Sequence, residues 1–444
     1  MSSTSATGRC TVFDRIRLLR PLVAAAVLLL PLLPVTAAQS TAAPAAPAAG
    51  PDCSAASKIE KKLAGGTTWR MCWHNNEYAG LVLEDVSYQP KGEPRPIKVL
   101  ASGRLGQVHV PYDNGANEYN DVTEEAMGSF PEKLKPKDCP GGTIRSIPVP
   151  EGRPVPGLCV TTQARGFAYH GNSGDVMEPR ARTDSAQGTD LAVYAIYSAG
   201  YYQYVVQWNF SDDGTITPKA GATGNLSPSD FDASDKTGSP LGKGSRDRAT
   251  SHQHNVFWRL RFQPDGSDKQ RIEQYGTQRG GRDPDTGTER LHTTRRTVAT
   301  ETAGNSGSYR WWRVVSGTAK NADGHPRSWE LVHHNPARYT GRPYTAKDVY
   351  FTQHNKCEDY PNDNRRFTRR CAGDVSKFVT GQRLTRPVLW VNVGFHHIPR
   401  DEDQTPMPAH WQGFQIAPRD VTAMSPLTPD RLRAPQYNGE PHEH

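Results

Sequence analysis

The sequence predicts an all-β protein built as a large antiparallel β-sandwich. Glycine and proline are frequent, at 40 and 36 residues in a chain of 444, and they separate many short segments in which apolar and polar residues alternate. Short alternating strands divided by turn residues are typical of sandwiches and barrels. Residues 251–262 show this alternation in its clearest form. We find no P-loop, dinucleotide-binding fingerprint or internal repeat in the sequence.

The two ends of the chain are predicted to lie outside the sandwich. Residues 1–38 combine a basic start, an apolar run and the small-residue site Val35-Thr36-Ala37, which is typical of a secretory signal peptide. Residues 39–52 form an Ala/Pro-rich linker. The folded domain is expected over residues 53–430, followed by a polar tail at 431–444. We therefore expect a secreted protein without a membrane span.

Cysteine usage agrees with an oxidising compartment. Of the seven cysteines, Cys10 lies in the predicted signal and an even number remains. No Cys-x-x-Cys spacing occurs, so thiolate–metal binding is less favoured. Each disulfide between sequence neighbours would close a short loop and stabilise the fold by roughly 3 kcal/mol. That pairing gives Cys53–Cys72, Cys139–Cys159 and Cys357–Cys371.

Several segments have the alternation or apolar character of strands. These predicted strands are residues 80–88, 96–101, 107–112, 191–200, 201–210, 251–262 and 388–395. A Ser-Asp-Asp-Gly turn closes the strand over 201–210. Tyr202 and Tyr204 share one face of that strand with Trp208. We therefore expect Tyr202 to point into the core, where a buried tyrosine ordinarily packs and makes one hydrogen bond.

The strand over 251–262 places two imidazoles on its apolar face. His252 and His254 alternate in phase with Val256 and Trp258, so they lie about 6.5–7 Å apart along the strand. One metal ion can bind both side chains. The alternative is a pair of core histidines bonded to backbone carbonyls, which is more frequent for an isolated His-x-His. This strand alone leaves both interpretations open.

Two further segments bear on that choice. The apolar strand over 388–395 ends in His396 and His397, and a histidine there can complete a three-imidazole site of the kind that suits copper or catalytic zinc. An acidic loop at residues 113–125 carries Tyr119 two positions before Asp121. The net charge of +7 is spread along the chain, so we expect no nucleic-acid partner.

Together these segments resemble the copper- and quinone-dependent amine oxidases, from about Trp69 to Pro426. The pieces that carry the resemblance occur in the family's order. They are Gly80-Leu81-Val82-Leu83, Val110-Pro111-Tyr112, Tyr119 with Asp121, Glu124 and Gly128, Asp213-Gly214-Thr215-Ile216, Ala222-Thr223-Gly224, His252 with His254, Gly394-Phe395-His396-His397-Ile398-Pro399-Arg400, Glu402-Asp403 and Met407-Pro408. The match covers the family's catalytic β-sandwich domain, without its small N-terminal α/β domains.

The resemblance implies a copper centre and a cofactor made from the chain itself. Tyr202 would be the tyrosine that bound copper and O2 oxidise to topaquinone. His252, His254 and His397 would bind the copper ion, one per subunit. His396 falls at a variable position of the family.

The resemblance also implies roles for the acidic loop. Asp121 falls where the family keeps its general base, with Glu124 or Glu125 as substitutes. Tyr119 falls at the family's gate over the amine channel. Tyr112 falls where a tyrosine hydrogen-bonds a quinone oxygen. The Cys139–Cys159 pair flanks this loop as a family disulfide does.

The implied activity is oxidative deamination of primary amines with O2 to aldehyde, ammonia and hydrogen peroxide, by a homodimer. The chain departs from the family at four positions. Tyr201 and Gln203 replace the Asn and the Asp or Glu that flank the cofactor tyrosine, and Arg261 and Arg386 replace acidic ligands of a peripheral metal site. Two alternatives remain: a copper-binding β-sandwich without turnover, and a zinc hydrolase using the same three histidines.

Overall fold

The computed structural model describes residues 52–173, 182–226, 237–242, 248–307, 309–334, 338–363, 371 and 373–433. These residues form a large antiparallel β-sandwich, which confirms the predicted fold class. The predicted signal peptide, all but the last residue of the predicted linker and residues 434–444 lie outside the described residues. Over the described part of the chain, no helix is long and apolar enough to span a membrane.

The strands are numbered in chain order. They are β1 Lys58–Lys62, β2 Thr68–Asn76, β3 Gly80–Gln89, β4 Ile97–Val110, β5 Tyr119–Asn120, β6 Thr143–Ile147, β7 Val155–Ser173, β8 Arg182–Ala199, β9 Tyr202–Ser211, β10 Ile216–Gly224, β11 Ser239–Pro240, β12 Arg248–Ala249, β13 His252–Phe262, β14 Gln270–Arg282, β15 Glu289–Val298, β16 Thr302–Gly304, β17 Trp311–Lys320, β18 Pro326–His333, β19 Val349–Gln353, β20 Pro387–His397 and β21 Met407–Arg419. Two one-turn helices are α1 Asp121–Glu124 and α2 Val375–Phe378.

Two sheets make up the sandwich. The first has the strand order β1-β2-β3-β4-β13-β20-β19-β16, with β5 paired to β4. The second has the order β15-β14-β17-β18-β21-β10-β9-β8-β7-β6. The ladders that carry the histidines and the β9 tyrosines are antiparallel. Strands β13 and β20 are neighbours in the first sheet, and β9 lies in the second.

The core lies between the facing sheets and is rich in aromatic side chains. Trp208 of β9 meets Trp258 of β13 edge to face, with ring centroids 5.1 Å apart. Gly103 makes room for this contact, because a Cβ there would lie 2.6 Å from the Trp208 ring. Such close interdigitation is typical of sandwich cores. It holds β9, which carries Tyr202, against β13, which carries His252 and His254.

The strand predictions were largely correct, with one difference in β4. The sequence predicted separate strands over 96–101 and 107–112, whereas β4 runs unbroken from Ile97 to Val110. The pairing with β13 shifts by one residue between Phe257 and Trp258, which leaves Gly106 as the extra residue of a β-bulge. The bulge absorbs the glycine, so the chain does not turn there.

Burial of β13 exceeds what its alternation indicates. His252, Val256 and Trp258 face the sandwich core, as predicted. On the opposite face Asn255 and Phe257 are also fully buried. A second apolar cluster covers that outer face; its buried members are Phe257, Tyr344, Tyr350, Val375, Phe378, Val388 and Trp390.

All three predicted disulfides are confirmed. Cys53 pairs with Cys72, Cys139 with Cys159, and Cys357 with Cys371. Cys72 lies in β2 and Cys159 in β7, and each of these strands is next to the edge strand of its sheet. The acidic loop differs from its prediction, because it contains the short strand β5 and helix α1.

Candidate active site

The pairing of β13 with β20 brings the three predicted histidines together. His252 and His397 are directly opposite each other in this ladder, and His254 lies on the same face two residues along β13. All three side chains are buried. One ring nitrogen from each lies within 4.8 Å of those of the other two.

The hydrogen bonds around these rings show which nitrogen faces the common centre. His252 Nδ1 lies 3.0 Å from the carbonyl oxygen of Thr250, to which it donates, so its Nε2 carries the lone pair. His397 Nε2 lies 3.0 Å from Asp403 Oδ2, which leaves Nδ1 facing inward. His254 Nε2 is buried without a hydrogen-bond partner among the described residues. Three converging lone pairs, one of them otherwise unsatisfied, fit a copper or zinc ion.

Burial keeps these imidazoles in the neutral form that metal binding requires. It lowers the pKa of His252 to about 3, with His397 adding to the effect. It lowers the pKa of His254 well below the usual range, again helped by the neighbouring rings. The pKa of His397 is also lowered by burial, although the hydrogen bond to Asp403 opposes the shift. All three are therefore neutral at physiological pH.

Tyr202, the predicted cofactor tyrosine, points at this centre. It is the first residue of β9 and is buried. Its hydroxyl oxygen lies 2.8 Å from His252 Nε2 and 3.1 Å from His397 Nδ1. Its ring centroid is 5.1 Å from that of His254. The structure thus places the Tyr202 hydroxyl where the three imidazole nitrogens converge.

Asp121 lies beside the tyrosines of β9. It is the first residue of α1, and its Oδ2 accepts a hydrogen bond of 2.5 Å from the hydroxyl of Tyr204. The Tyr202 and Tyr204 rings stack with centroids 6.0 Å apart. Burial raises the pKa of Asp121 to about 7, although the hydrogen bond from Tyr204 opposes the shift. Glu124 is exposed and accepts instead from the backbone N–H of Asn120.

Tyr112 and Tyr119 form an aromatic pair between the centre and the surface. The Tyr112 ring lies 5.1 Å from the His252 ring, and the two residues form a β-bridge. Tyr119 meets Tyr112 edge to face at 5.9 Å and is 41% exposed. The pair therefore extends from the His252 ring toward the protein surface. His396, which follows β20 residue Phe395, is exposed.

Sequence reasoning did not assign roles to three further residues. Tyr204 shares a face with Tyr202, but its contact with Asp121 joins residues 83 positions apart. Asp403 is fully buried and accepts from both His397 and His410, the latter at 3.2 Å. The spacing of Asp403 after His397 was a usable signal, since a metal-binding histidine commonly donates its other N–H to a carboxylate. No comparable signal marked His410.

The fold and this geometry define a β-sandwich protein with a buried three-histidine cluster, able to hold a metal ion, beside a buried tyrosine. Residues 58–429 match the family model described as copper amine oxidase, enzyme domain. The chain therefore belongs to the copper amine oxidase family.

Its relatives include proteins named as amine oxidases. The chain is 25% identical over 409 residues to Primary amine oxidase 2 of Arabidopsis thaliana, covering 83% of this chain and 59% of the relative. It is 26% identical over 386 residues to the Primary amine oxidase of Klebsiella aerogenes, covering 77% of this chain and 50% of the relative. The solved structure of a copper-containing benzylamine oxidase from Hansenula polymorpha superposes with a TM-score of 0.68 at 19% identity. The superposition covers 83% of this chain and 62% of that chain, and it supports the fold. The chain thus spans about three fifths or less of each relative's length.

Proposed function

We propose that this protein is a secreted copper- and quinone-dependent amine oxidase. It would convert primary amines, with O2 and water, to aldehyde, ammonia and hydrogen peroxide. The observation that carries the proposal is the Tyr202 hydroxyl, 2.8 and 3.1 Å from two of three clustered imidazole nitrogens. Membership of the copper amine oxidase family supports it.

The three histidines are suited to hold the metal beside Tyr202. His252 and His254 would bind through Nε2 and His397 through Nδ1, as their other contacts require. When bound, copper with O2 supplies the oxidation of the Tyr202 ring to a quinone, whose carbonyl is electrophilic toward a primary amine. Asp403 holds the His397 ring through its Nε2–H.

Asp121 is the residue we assign as general base. Its Oδ2 already accepts the Tyr204 hydrogen bond, so Oδ1 is the oxygen assigned to take the α-proton of the substrate. A pKa near 7 lets Asp121 be ionised in a buried setting and still accept a proton at neutral pH. Tyr119 and Tyr112 would border the path by which the amine reaches this carboxylate.

The position of Tyr202 favours the oxidase over a zinc hydrolase. A catalytic zinc keeps its fourth position for water. Here the Tyr202 hydroxyl already lies against the nitrogens of two would-be ligands. A copper-binding protein without turnover is the second candidate, and the flanking residues Tyr201 and Gln203 favour it because they depart from the family's cofactor motif.

Maturation of the purified protein distinguishes these functions. Metal-free protein given Cu(II) and O2 is expected to develop a visible quinone absorption slowly, and then to release peroxide when a primary amine is added. Zn(II) with O2 is the control and should give no colour. Protein that binds copper tightly but stays colourless, with Tyr202 unmodified by mass spectrometry, would establish the copper-binding alternative.

Secretion and dimer formation are part of the same proposal. The three disulfides support an oxidising compartment, because such bonds are rare in the cytosol. N-terminal sequencing of protein recovered from the culture medium should begin close to residue 39. A homodimer is the expected assembly, with the hairpin of β14 and β15 at the contact between subunits.

A further inference from the structure

Tyr204 lies between the base and the metal centre. It is buried on β9, and its hydroxyl oxygen is 2.5 Å from Asp121 Oδ2 and 3.4 Å from His254 Nδ1. Its ring is 6.0 Å from the His254 ring, in an edge-to-face arrangement. A buried tyrosine ordinarily needs one hydrogen-bond partner. Tyr204 has two, and both belong to the proposed catalytic machinery.

The Tyr204 hydroxyl bridges Asp121 and His254, and its single proton limits how these two hydrogen bonds can be arranged. The Tyr204 hydroxyl has one proton to donate and lone pairs to accept with. When it donates to the Asp121 carboxylate, its oxygen can only accept from His254, so the proton of the imidazole must lie on Nδ1. His254 Nε2 then carries the lone pair, and this is the nitrogen that is buried without a hydrogen-bond partner among the described residues.

The opposite arrangement removes a ligand. If Tyr204 donated to His254 Nδ1, the neutral imidazole would carry its proton on Nε2, where it would face His252 and Tyr202 and exclude a metal ion. The 2.5 Å contact favours donation to Asp121, because hydrogen bonds to a carboxylate are short and strong. The direction of one hydroxyl therefore decides whether His254 can act as a ligand.

We propose that Tyr204 is a positioning residue that, by donating its one proton to Asp121, fixes His254 in the tautomer that binds metal through Nε2. The proposal rests on the assignment of Asp121 and His254 in the proposed function. It adds that the base and the metal site are joined through one hydroxyl. Removing that hydroxyl should weaken metal binding even before any chemistry takes place.

The first test observes the tautomer of His254 directly. In metal-free wild-type protein labelled with 15N-histidine, the His254 ring is expected to show a protonated Nδ1 and an unprotonated Nε2 by NMR. The Tyr204→Phe variant is expected to lose this preference, because nothing in the bridge then accepts from Nδ1. A wild-type His254 protonated on Nε2 would overturn the proposal.

The second test measures affinity for Zn(II), which binds without redox chemistry. Tyr204→Phe is expected to weaken Zn(II) binding by about 10- to 100-fold, the usual effect of removing a group that orients a metal-binding histidine. Tyr201→Phe is the matched control, since Tyr201 is 53% exposed, and it should bind as wild type does. Equal affinity of Tyr204→Phe and wild type would contradict the inference. A protein that fails to oxidise amines but gives the expected tautomer and affinity would refute the proposed function alone.

Discussion

Burial sets the protonation state of the residues at the centre of this site. Asp121 is neutral below its pKa of about 7 and ionised above it, because burial penalises the charged form. A general base must be ionised to accept a proton. We therefore expect kcat/KM for amine oxidation to rise as the pH increases to about 7, and to stop rising with the ionisation of Asp121 above that pH.

Measurement of peroxide release across pH 5 to 9 on matured protein checks the Asp121 prediction. Asp121→Asn should abolish turnover at every pH in that range. Asp113 is an exposed carboxylate of the same loop, so Asp113→Asn is the control. This variant should show the same fall in activity below pH 7 as the wild type. An acid limb near pH 4 in the wild type would show that another group acts as the base.

We expect Tyr201 and Gln203, the residues beside Tyr202, to affect how readily the Tyr202 ring is oxidised. Tyr202→Phe removes the hydroxyl that lies 2.8 Å from His252 Nε2 and 3.1 Å from His397 Nδ1, so no quinone absorption should form. The three histidines remain, and copper should still bind. Restoring the family pattern with Tyr201→Asn and Gln203→Asp should speed colour formation in the wild-type background.

Time courses of visible absorption after addition of Cu(II) and O2 compare the Tyr202 and flanking variants directly. Tyr201→Phe alone serves as the control, because it leaves the departure from the family motif in place. Colour in Tyr202→Phe would show that another side chain is oxidised. Maturation of the double variant alone would identify the natural protein as a copper-binding relative.

The positions of site residues were predictable where a strand periodicity or a family motif marked them. The phase of β13 located His252 and His254, and the end of β20 located His397. The contact between Tyr204 and Asp121 was not predictable, because it joins β9 to α1 across the sandwich. A side chain's partner in space depends on sheet packing, which a periodicity of two does not specify.

At the scale of elements, the turn after β20 holds one of the proposed ligands in place. Asp403 lies in the short 3-10 helix Asp401–Asp403 and accepts from His397 Nε2 and from the backbone N–H of Arg400. These hydrogen bonds lower the pKa of Asp403 although burial opposes the shift, so it remains an acceptor at neutral pH. The turn thus fixes the ring orientation that the strand alone leaves open.

Removing this acceptor should weaken metal binding. Asp403→Ala is expected to lower copper affinity by about 10- to 100-fold, because the His397 ring loses the bond that fixes its tautomer. Asp403→Asn keeps an acceptor oxygen and should retain more of the affinity. Calorimetric titration with Cu(II) checks both, with the exposed Glu402→Ala as the control. Unchanged affinity in Asp403→Ala would remove this role from the turn.

Elements were predicted well where alternation was uninterrupted and less well where glycine interrupted it. The sequence placed β9, β13 and β20 within about two residues of their observed bounds. It divided β4 in two, and glycines at 103 and 106 lie in the gap between the two predicted strands. One of these glycines instead accommodates Trp208, and the other forms the bulge. The first use depends on β9 in the facing sheet and the second on the neighbouring strand β13.

At the scale of the whole molecule, the site forms only when the two sheets pack together. Tyr202 and His397 are separated by 195 positions and belong to different sheets. Contacts at such separation are costly in chain entropy and are repaid by the apolar core around Trp208 and Trp258. Alternation in the sequence marks a strand and its two faces but does not specify which strand it pairs with. The order of the strands within each sheet was therefore not predictable from the sequence pattern.

The hairpin of β14 and β15 carries the last prediction, which concerns assembly. Nine of the ten residues of β15 are exposed, and Leu291 is 73% exposed. A two-stranded hairpin in water is marginally stable on its own. We expect a homodimer in which the partner subunit covers this hairpin. Replacing residues 279–290 with a two-residue turn should therefore shift the protein from dimer to monomer, measured by light scattering coupled to size-exclusion chromatography.

The inner part of the hairpin should survive that replacement, because Ile272 and Val298 remain paired and buried in the sandwich. Copper affinity and the three disulfides should therefore be unchanged, which separates loss of the dimer from loss of the fold. Leu291→Asp is a milder test and should weaken the dimer without altering the chain length. A wild-type protein that is monomeric at micromolar concentration, or a shortened hairpin that still dimerises, would place the subunit contact elsewhere or remove it.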